Sequence, residues 1–207
     1  MSNLQITIIR IVIHIAALVP LVLLIWDYTQ GNLTANPIRE VQLRTGSSAI
    51  NLLILSLACT PINIITGFKP VLFLRRLFGL YAFFYTLLHF INFIGIDYGF
   101  NLTLIREDLF EKRYIIVGFA SFMLLLPLAI TSIKDTRQRL HKNWHRLHWL
   151  VYPAATLAVV HYIWQTKADI NLPLIYGVIL VLLVAIRLPI VRNLIKQHFK
   201  WLNRTIP

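Results

Sequence analysis

The stretch LFGLYAFFYTLLHFINFIGI, residues 77–96, decides how the chain is read. It holds no Lys, Arg, Asp or Glu, and its one histidine, His89, stands in an apolar and aromatic run. A helix crossing the hydrocarbon core of a bilayer needs about 20 apolar residues, and about 17 suffice. Five more blocks meet that length: residues 8–26, 47–65, 114–133, 147–165 and 173–189. The apolar residues, 57% of the 207, fall in blocks and not in narrow amphipathic stripes. Backbone polar groups find no water in lipid, so blocks of this kind form helices. The expected fold is all-α, a six-helix transmembrane bundle making one domain over 1–207.

The first block is too long for the apolar part of a signal peptide. Asp27, Tyr28 and Gln30 follow it in place of a small-residue cleavage pattern, so it reads as a retained span. Trp26, Tyr28, Tyr98, Tyr114, Trp144, Trp149, Tyr162 and Trp164 gather near block ends, as in an interfacial aromatic belt. Pro20, Pro61, Pro127 and Pro153 lie inside the blocks, where each frees a carbonyl for neighbours to satisfy. Cys59 is alone, cannot form an intrachain disulfide, and reads as a small packing residue.

The formal net charge of +12 has to be sorted by loop. With a cytoplasmic N-terminus, fourteen basic residues face inward: Arg10, Lys69, Arg75, Arg76, Lys134, Arg137, Arg139, Lys142, Arg146, Arg187, Arg192, Lys196, Lys200 and Arg204. Six face outward: Arg39, Arg44, Arg106, Lys112, Arg113 and Lys167. Of the eight acids, only Asp135 is inside. This bias predicts a multi-pass protein of the bacterial inner membrane with both termini cytoplasmic. Topology and attraction to anionic membrane lipid explain the basic surplus, and no nucleic acid partner is needed. The expected outer loops are 27–46, 97–113 and 166–172, and the inner ones 66–76 and 134–146. None is long enough for a nucleotide-binding domain, so NADPH oxidation would require a second protein.

The interiors of the six blocks hold no Lys, Arg, Asp or Glu, which leaves His14, His89, His148 and His161. Polar groups at such depth are functional by default. His89 lies 12 residues past Leu77, about 18 Å of rise, and His161 lies 14 past Leu147, about 21 Å. On parallel helices the two imidazoles reach similar depth, and a haem can lie between them with one axial ligand from each side. His148 is 13 residues below His161, about 20 Å along the same helix and about 140° around it. It suits a second, inner redox site. His14 either lines that inner pocket or hydrogen-bonds a neighbouring helix. His141, His145 and His198 read as solvated or uninformative.

A further set of residues carries a resemblance. It comprises His14-Ile15-Ala16-Ala17-Leu18-Val19-Pro20, Thr45-Gly46, Thr60-Pro61, Arg75-Arg76-Leu77-Phe78-Gly79-Leu80, Leu88-His89, Thr131-Ser132, Trp144-His145-Arg146-Leu147-His148, Val151-Tyr152 and His161-Tyr162-Ile163-Trp164. In order and spacing, over essentially the whole chain, these resemble the MsrQ (YedZ) family. Its members are haem-binding membrane subunits of bacterial periplasmic methionine sulfoxide reductase systems. The wider family is the ferric reductase-like transmembrane domain, shared with NADPH oxidases, which carries two histidines on each of two helices. By that resemblance His89 and His161 are the outer haem pair. The inner pair would be His148 and the position 14 before His89, which is Arg75, not a normal iron ligand.

What the MsrQ resemblance implies instead is one haem b with FMN, and electrons drawn from the quinone pool. Arg75 and Arg76 then either hold an anionic group at the cytoplasmic edge or serve only as topology signals. The implied partner is the periplasmic molybdopterin catalytic subunit, MsrP. This chain would be the electron-transfer subunit and not the sulfoxide-reducing one. Other readings are a ferric reductase or oxidase with another acceptor, a proton-coupled transporter, and a haem-free scaffold. The transporter reading predicts an acid in a helix core, and none is there.

Overall fold

The computed structural model describes residues 3–166, 169–195 and 197. Among them the chain is all-helical: α1 (Asn3–Thr29), α2 (Pro37–Thr66), α3 (Val71–Ile91) continued by a π-helical segment (Asn92–Asp97), α4 (Leu102–Glu111), α5 (Arg113–Ile130) and α6 (Lys134–Leu147). A 3₁₀ turn (His148–Leu150) leads into α7 (Val151–Gln165), and α8 (Asn171–Ala185) follows. A last helix, α9 (Pro189–Ile195), is bent 79° from α8.

Among the described residues, four helices are long and apolar enough to cross a membrane: Leu4–Thr29, Pro37–Thr66, Val71–Asp97 and Arg113–Ile130. The bent α8–α9 pair makes a fifth if counted as one span. The chain is a membrane protein, and four or five of the six spans expected from sequence meet the length and composition of a crossing among the described residues. Block 147–165 is divided between the end of α6, the 3₁₀ turn and α7, which has 15 residues.

The expected loops are corrected too. Residues 37–46 of the expected outer loop 27–46 are the first turns of α2. Asn36 caps them by accepting from the Arg39 N–H at 3.0 Å, and Pro37 sits where a helix N–H is not needed. Loop 97–113 contains α4, capped by Asn101 accepting from Thr103 and Leu104. Loop 134–146 is α6, interrupted at His141, whose φ of 42° is non-helical. Lys167, Lys196, Lys200 and Arg204, used in sorting the charges, and His198 lie outside the described residues.

α2 packs along α3, and α5 packs along α7. Small residues permit both approaches. Ser56 Oγ donates to the Arg75 carbonyl at 2.8 Å beside Gly79, and Ser121 Oγ donates to the Ala154 carbonyl at 2.8 Å. The two pairs meet along a lighter seam, where Phe122 stacks on Phe90 with ring centres 4.6 Å apart.

Two prolines show how the bundle repairs its helices. The Tyr85 hydroxyl, buried on α3, donates to the Ala17 carbonyl at 2.7 Å and accepts from the Leu21 N–H at 3.2 Å. It is inserted into the ladder of α1 beside Pro20. Pro61 has no N–H for the Leu57 carbonyl. Arg187, just past α8, donates Nη2 to that carbonyl at 2.5 Å and Nη1 to Tyr152 Oη at 2.6 Å. The charge sorting placed Arg187 among inner-face cations; the structure turns it into the bundle.

Candidate functional site

The site lies where α3 and α7 face each other across the seam, at the end of the bundle that carries α4. His89 on α3 and His161 on α7 have ring centres 6.1 Å apart and planes at 89°. Each ring is held from behind. His89 Nδ1 donates to the Gln42 carbonyl of α2 at 2.9 Å, and His161 Nδ1 donates to the Tyr114 carbonyl of α5 at 2.7 Å. A carbonyl only accepts, so the proton sits on Nδ1 and Nε2 keeps its lone pair. Metal-ligating histidines are oriented in just this way.

One local device serves both rings. Gly46 stands four residues after Gln42, and Gly118 four after Tyr114. In each helix, the residue nearest the exposed carbonyl therefore has no side chain. A Cβ on Gly46 would lie 3.1 Å from His89 Nδ1 and Cε1; one on Gly118 would lie 2.5 Å from His161 Nδ1 and 2.7 Å from Cε1. The glycines leave room for the two imidazoles against bare backbone, most tightly at Gly118.

The residues fit a bis-imidazole haem. His89 and His161 would hold the group, their ring centres 6.1 Å apart leaving room for one metal between two imidazoles. Each imidazole comes from a different helix pair, and Phe90, Phe119 and Phe122 line the seam with apolar surface. Haem asks for only two protein ligands. Among the described residues, no group of three or more His, Cys, Asp or Glu is placed to hold a bare metal ion.

The other histidines and arginines singled out by sequence are not gathered here. His14 is on the exposed face of α1, with Nδ1 2.8 Å from Tyr81 Oη of α3. That is the helix-bridging alternative of the two left open. His148 is in the 3₁₀ turn at the opposite end, with Nδ1 3.0 Å from the Trp144 carbonyl and its ring stacked on Trp144 at 3.8 Å. Arg75 and Arg76 are exposed near the start of α3, and Arg75 Nη1 is 3.5 Å from Thr60 Oγ1. His141 and His145 are exposed.

Sequence reasoning missed Gln42 and Asn92. Gln42 Nε2 donates to His89 Nε2 at 3.0 Å, and Asn92 Nδ2 donates to Gln42 Oε1 at 2.6 Å. Their only sequence signal is amide side chains within two helix turns of a span end. Beside His161, an open depression of about 490 Å³ is lined by Glu111, Lys112, Arg113, Tyr114 and Trp164. Tyr114 thus joins the ring-holding carbonyl to the surface, its own ring 5.9 Å from that of His161.

Residues 45–159 match the family described as ferric reductase like transmembrane component. The chain is 42% identical over 184 residues to the protein-methionine-sulfoxide reductase heme-binding subunit MsrQ of Xanthomonas axonopodis pv. citri, covering 86% of this chain and 84% of that protein. It is 44% identical over 186 residues to the subunit of the same name from Rhodospirillum rubrum, covering 89% of each. The matched span 45–159 includes Gly46, His89, Tyr114, Gly118 and His148, and His161 lies two residues beyond it. The family match over residues 45–159 and the identity over most of both chains lead to one statement: the chain belongs to the ferric reductase-like transmembrane family, in its MsrQ branch.

Proposed function

We propose that this chain is the haem b-binding membrane subunit of a methionine sulfoxide reductase system, relaying electrons to a partner that reduces the sulfoxide. The observation that carries the reading is the His89–His161 pair, its rings 6.1 Å apart with both Nδ1 atoms anchored on backbone carbonyls. Haem bound there supplies one-electron chemistry between ferric and ferrous iron. The protein's part is to present two neutral imidazoles, fix their tautomer, and keep water out with the phenylalanines of the seam.

The chain takes electrons at its cytoplasmic end, from quinol or a cytosolic flavin reductase, and delivers them at the opposite, periplasmic end. Arg75 and Arg76 are the exposed cations that a phosphate of FMN would meet at the receiving end. His148 stands at that end as a candidate inner ligand. At the delivering end, the depression lined by Tyr114 and Trp164 is where a periplasmic molybdopterin subunit, MsrP, comes closest to His161. The same open depression also admits a small acceptor, which is what favours a second reading as a ferric reductase-like carrier. Reoxidation assayed with and without the molybdoenzyme separates the two.

The reading includes six crossings in a single domain, with both termini in the cytoplasm of a bacterium and the bundle in its inner membrane. α7 rises about 23 Å and the 3₁₀ turn adds about 6 Å, together close to the hydrocarbon thickness of about 30 Å. The deciding experiment is a redox difference spectrum of purified His89→Ala and His161→Ala. Both should lose the b-type signal, and full signals in both would sink the ligand assignment.

A further inference from the structure

Gln42 touches both nitrogens of His89. Its backbone carbonyl accepts from Nδ1 at 2.9 Å, and its side-chain Nε2 donates to Nε2 at 3.0 Å. Nε2 is the nitrogen an axial ligand offers to iron. Gln42 is itself held by Asn92, whose Nδ2 donates to Gln42 Oε1 at 2.6 Å and to the Ile38 carbonyl at 3.3 Å. These two acceptors fix which way the Asn92 amide faces. Asn92 Oδ1 then has no hydrogen-bond partner, although Asn92 is only 3% exposed. A buried amide oxygen without a donor is a costly exception in a folded protein.

The missing donor is close by. Two side-chain amides lying side by side can close a ring of two N–H···O bonds. Here Asn92 makes its half, while Gln42 Nε2 points at His89 instead of at Asn92 Oδ1. We propose that Gln42 is a two-position latch on His89: in the position shown its N–H caps Nε2, and in the other it turns to Asn92 Oδ1 and uncovers Nε2 for the iron. The proposal rests on His89 being a haem ligand. Turning the amide exchanges one acceptor for another and satisfies the orphaned oxygen. The Nδ1–H bond to the Gln42 carbonyl is unchanged in either position, so the ring keeps its aim while its other nitrogen opens. Asn92 begins the π-helical segment, an irregularity of the kind found at functional sites.

The test uses the full chain, purified after haem-limited expression, with hemin titrated in and followed by Soret absorbance. Asn92→Leu removes the receiving oxygen and should weaken hemin binding about tenfold or more. Gln42→Leu removes the latch and should load hemin faster than the parent. In the Gln42→Leu background, Asn92→Leu should no longer weaken binding. Parent-like affinity in Asn92→Leu overturns the latch, as does an undiminished penalty in the double variant. If Asn92→Leu loses helical content, the Gln42→Leu loading rate decides alone: a rate no faster than the parent's overturns the proposal. His89→Ala that still takes up hemin with a b-type spectrum removes the ligand reading beneath it. His89→Ala that fails, beside an Asn92→Leu that binds as the parent does, removes only the latch.

Discussion

Gly118 is the residue on which the His161 ring leans hardest. A Cβ there would stand 2.5 Å from Nδ1, and the ring cannot slide away while Nδ1 is bonded to the Tyr114 carbonyl. Gly118→Ala should therefore lower haem affinity about 10–100-fold, the range seen when support behind a metal ligand is disturbed. Gly46→Ala, with its closest contacts at 3.1 Å, should lose less. Haem per protein in the purified variants checks the order, and a fully loaded Gly118→Ala would contradict the anchoring of His161. At this scale the sequence was partly legible. Rise per residue already put His89 and His161 at similar depth, because a single helix dimension governs depth. Gln42 and Asn92 were hidden, because their meeting depends on how α2 crosses α3. The glycines were hidden too, since what a missing Cβ makes room for is a neighbour on another helix.

Among the elements, α2 and α8 are tied by the proline of one and the arginine beside the other. Arg187→Leu leaves the Leu57 carbonyl unpaired and should destabilise by about 1–3 kcal/mol. In a Pro61→Ala background the new N–H can take that carbonyl, and the Arg187→Leu penalty should shrink. A double-mutant cycle on detergent-solubilised protein should give a coupling of about 0.5–3 kcal/mol, and additivity would contradict the tie. Arg187 read as a topology signal because a cation near a span end has the same sequence signature whether it points to water or to a carbonyl.

α4 is fastened by charge. The Lys112 ammonium, 2.5 Å away, and the Tyr98 hydroxyl hold the Asp108 carboxyl below the usual carboxylate range. Burial, and then the bond to Asp108, push Tyr98 up to about 12, so it stays a donor. A depressed carboxyl stabilises fully above its unfolded value and loses that contribution as pH falls through the folded one. Lys112, raised by Asp108, loses its contribution only as pH climbs through its own raised value. Protection of α4 amides against hydrogen exchange should therefore be flat around neutrality and drop in acid. Asp108→Asn should start lower and flatten the acid limb; an acid drop unchanged in that variant would place the cause elsewhere. Helix α4 is legible in the Asn101 cap, whereas hydropathy alone reads the segment as a loop.

For the whole molecule, the apolar blocks foretold an all-helical membrane bundle, while the breaks within blocks 147–165 and 173–189 were not legible from length alone. The proposed topology has a direct check. Cys59 is fully buried, so single cysteines at exposed positions report the side they face. A membrane-impermeant maleimide should label Thr103→Cys in intact spheroplasts and Gln138→Cys only after permeabilisation. The reverse pattern would invert the bundle.

The pairing of α2 with α3 and of α5 with α7 has a consequence for the lifetime of the protein in the cell. Each half contributes one imidazole, so the proposed haem, held by both, would make separation of the halves equivalent to its own release. Its binding free energy is then added to the stability of the assembled chain, by about 2.7 kcal/mol for free ligand at 100 times its dissociation constant. On the proposed ligation, chains without the prosthetic group would expose the lighter seam between the two pairs to membrane proteases.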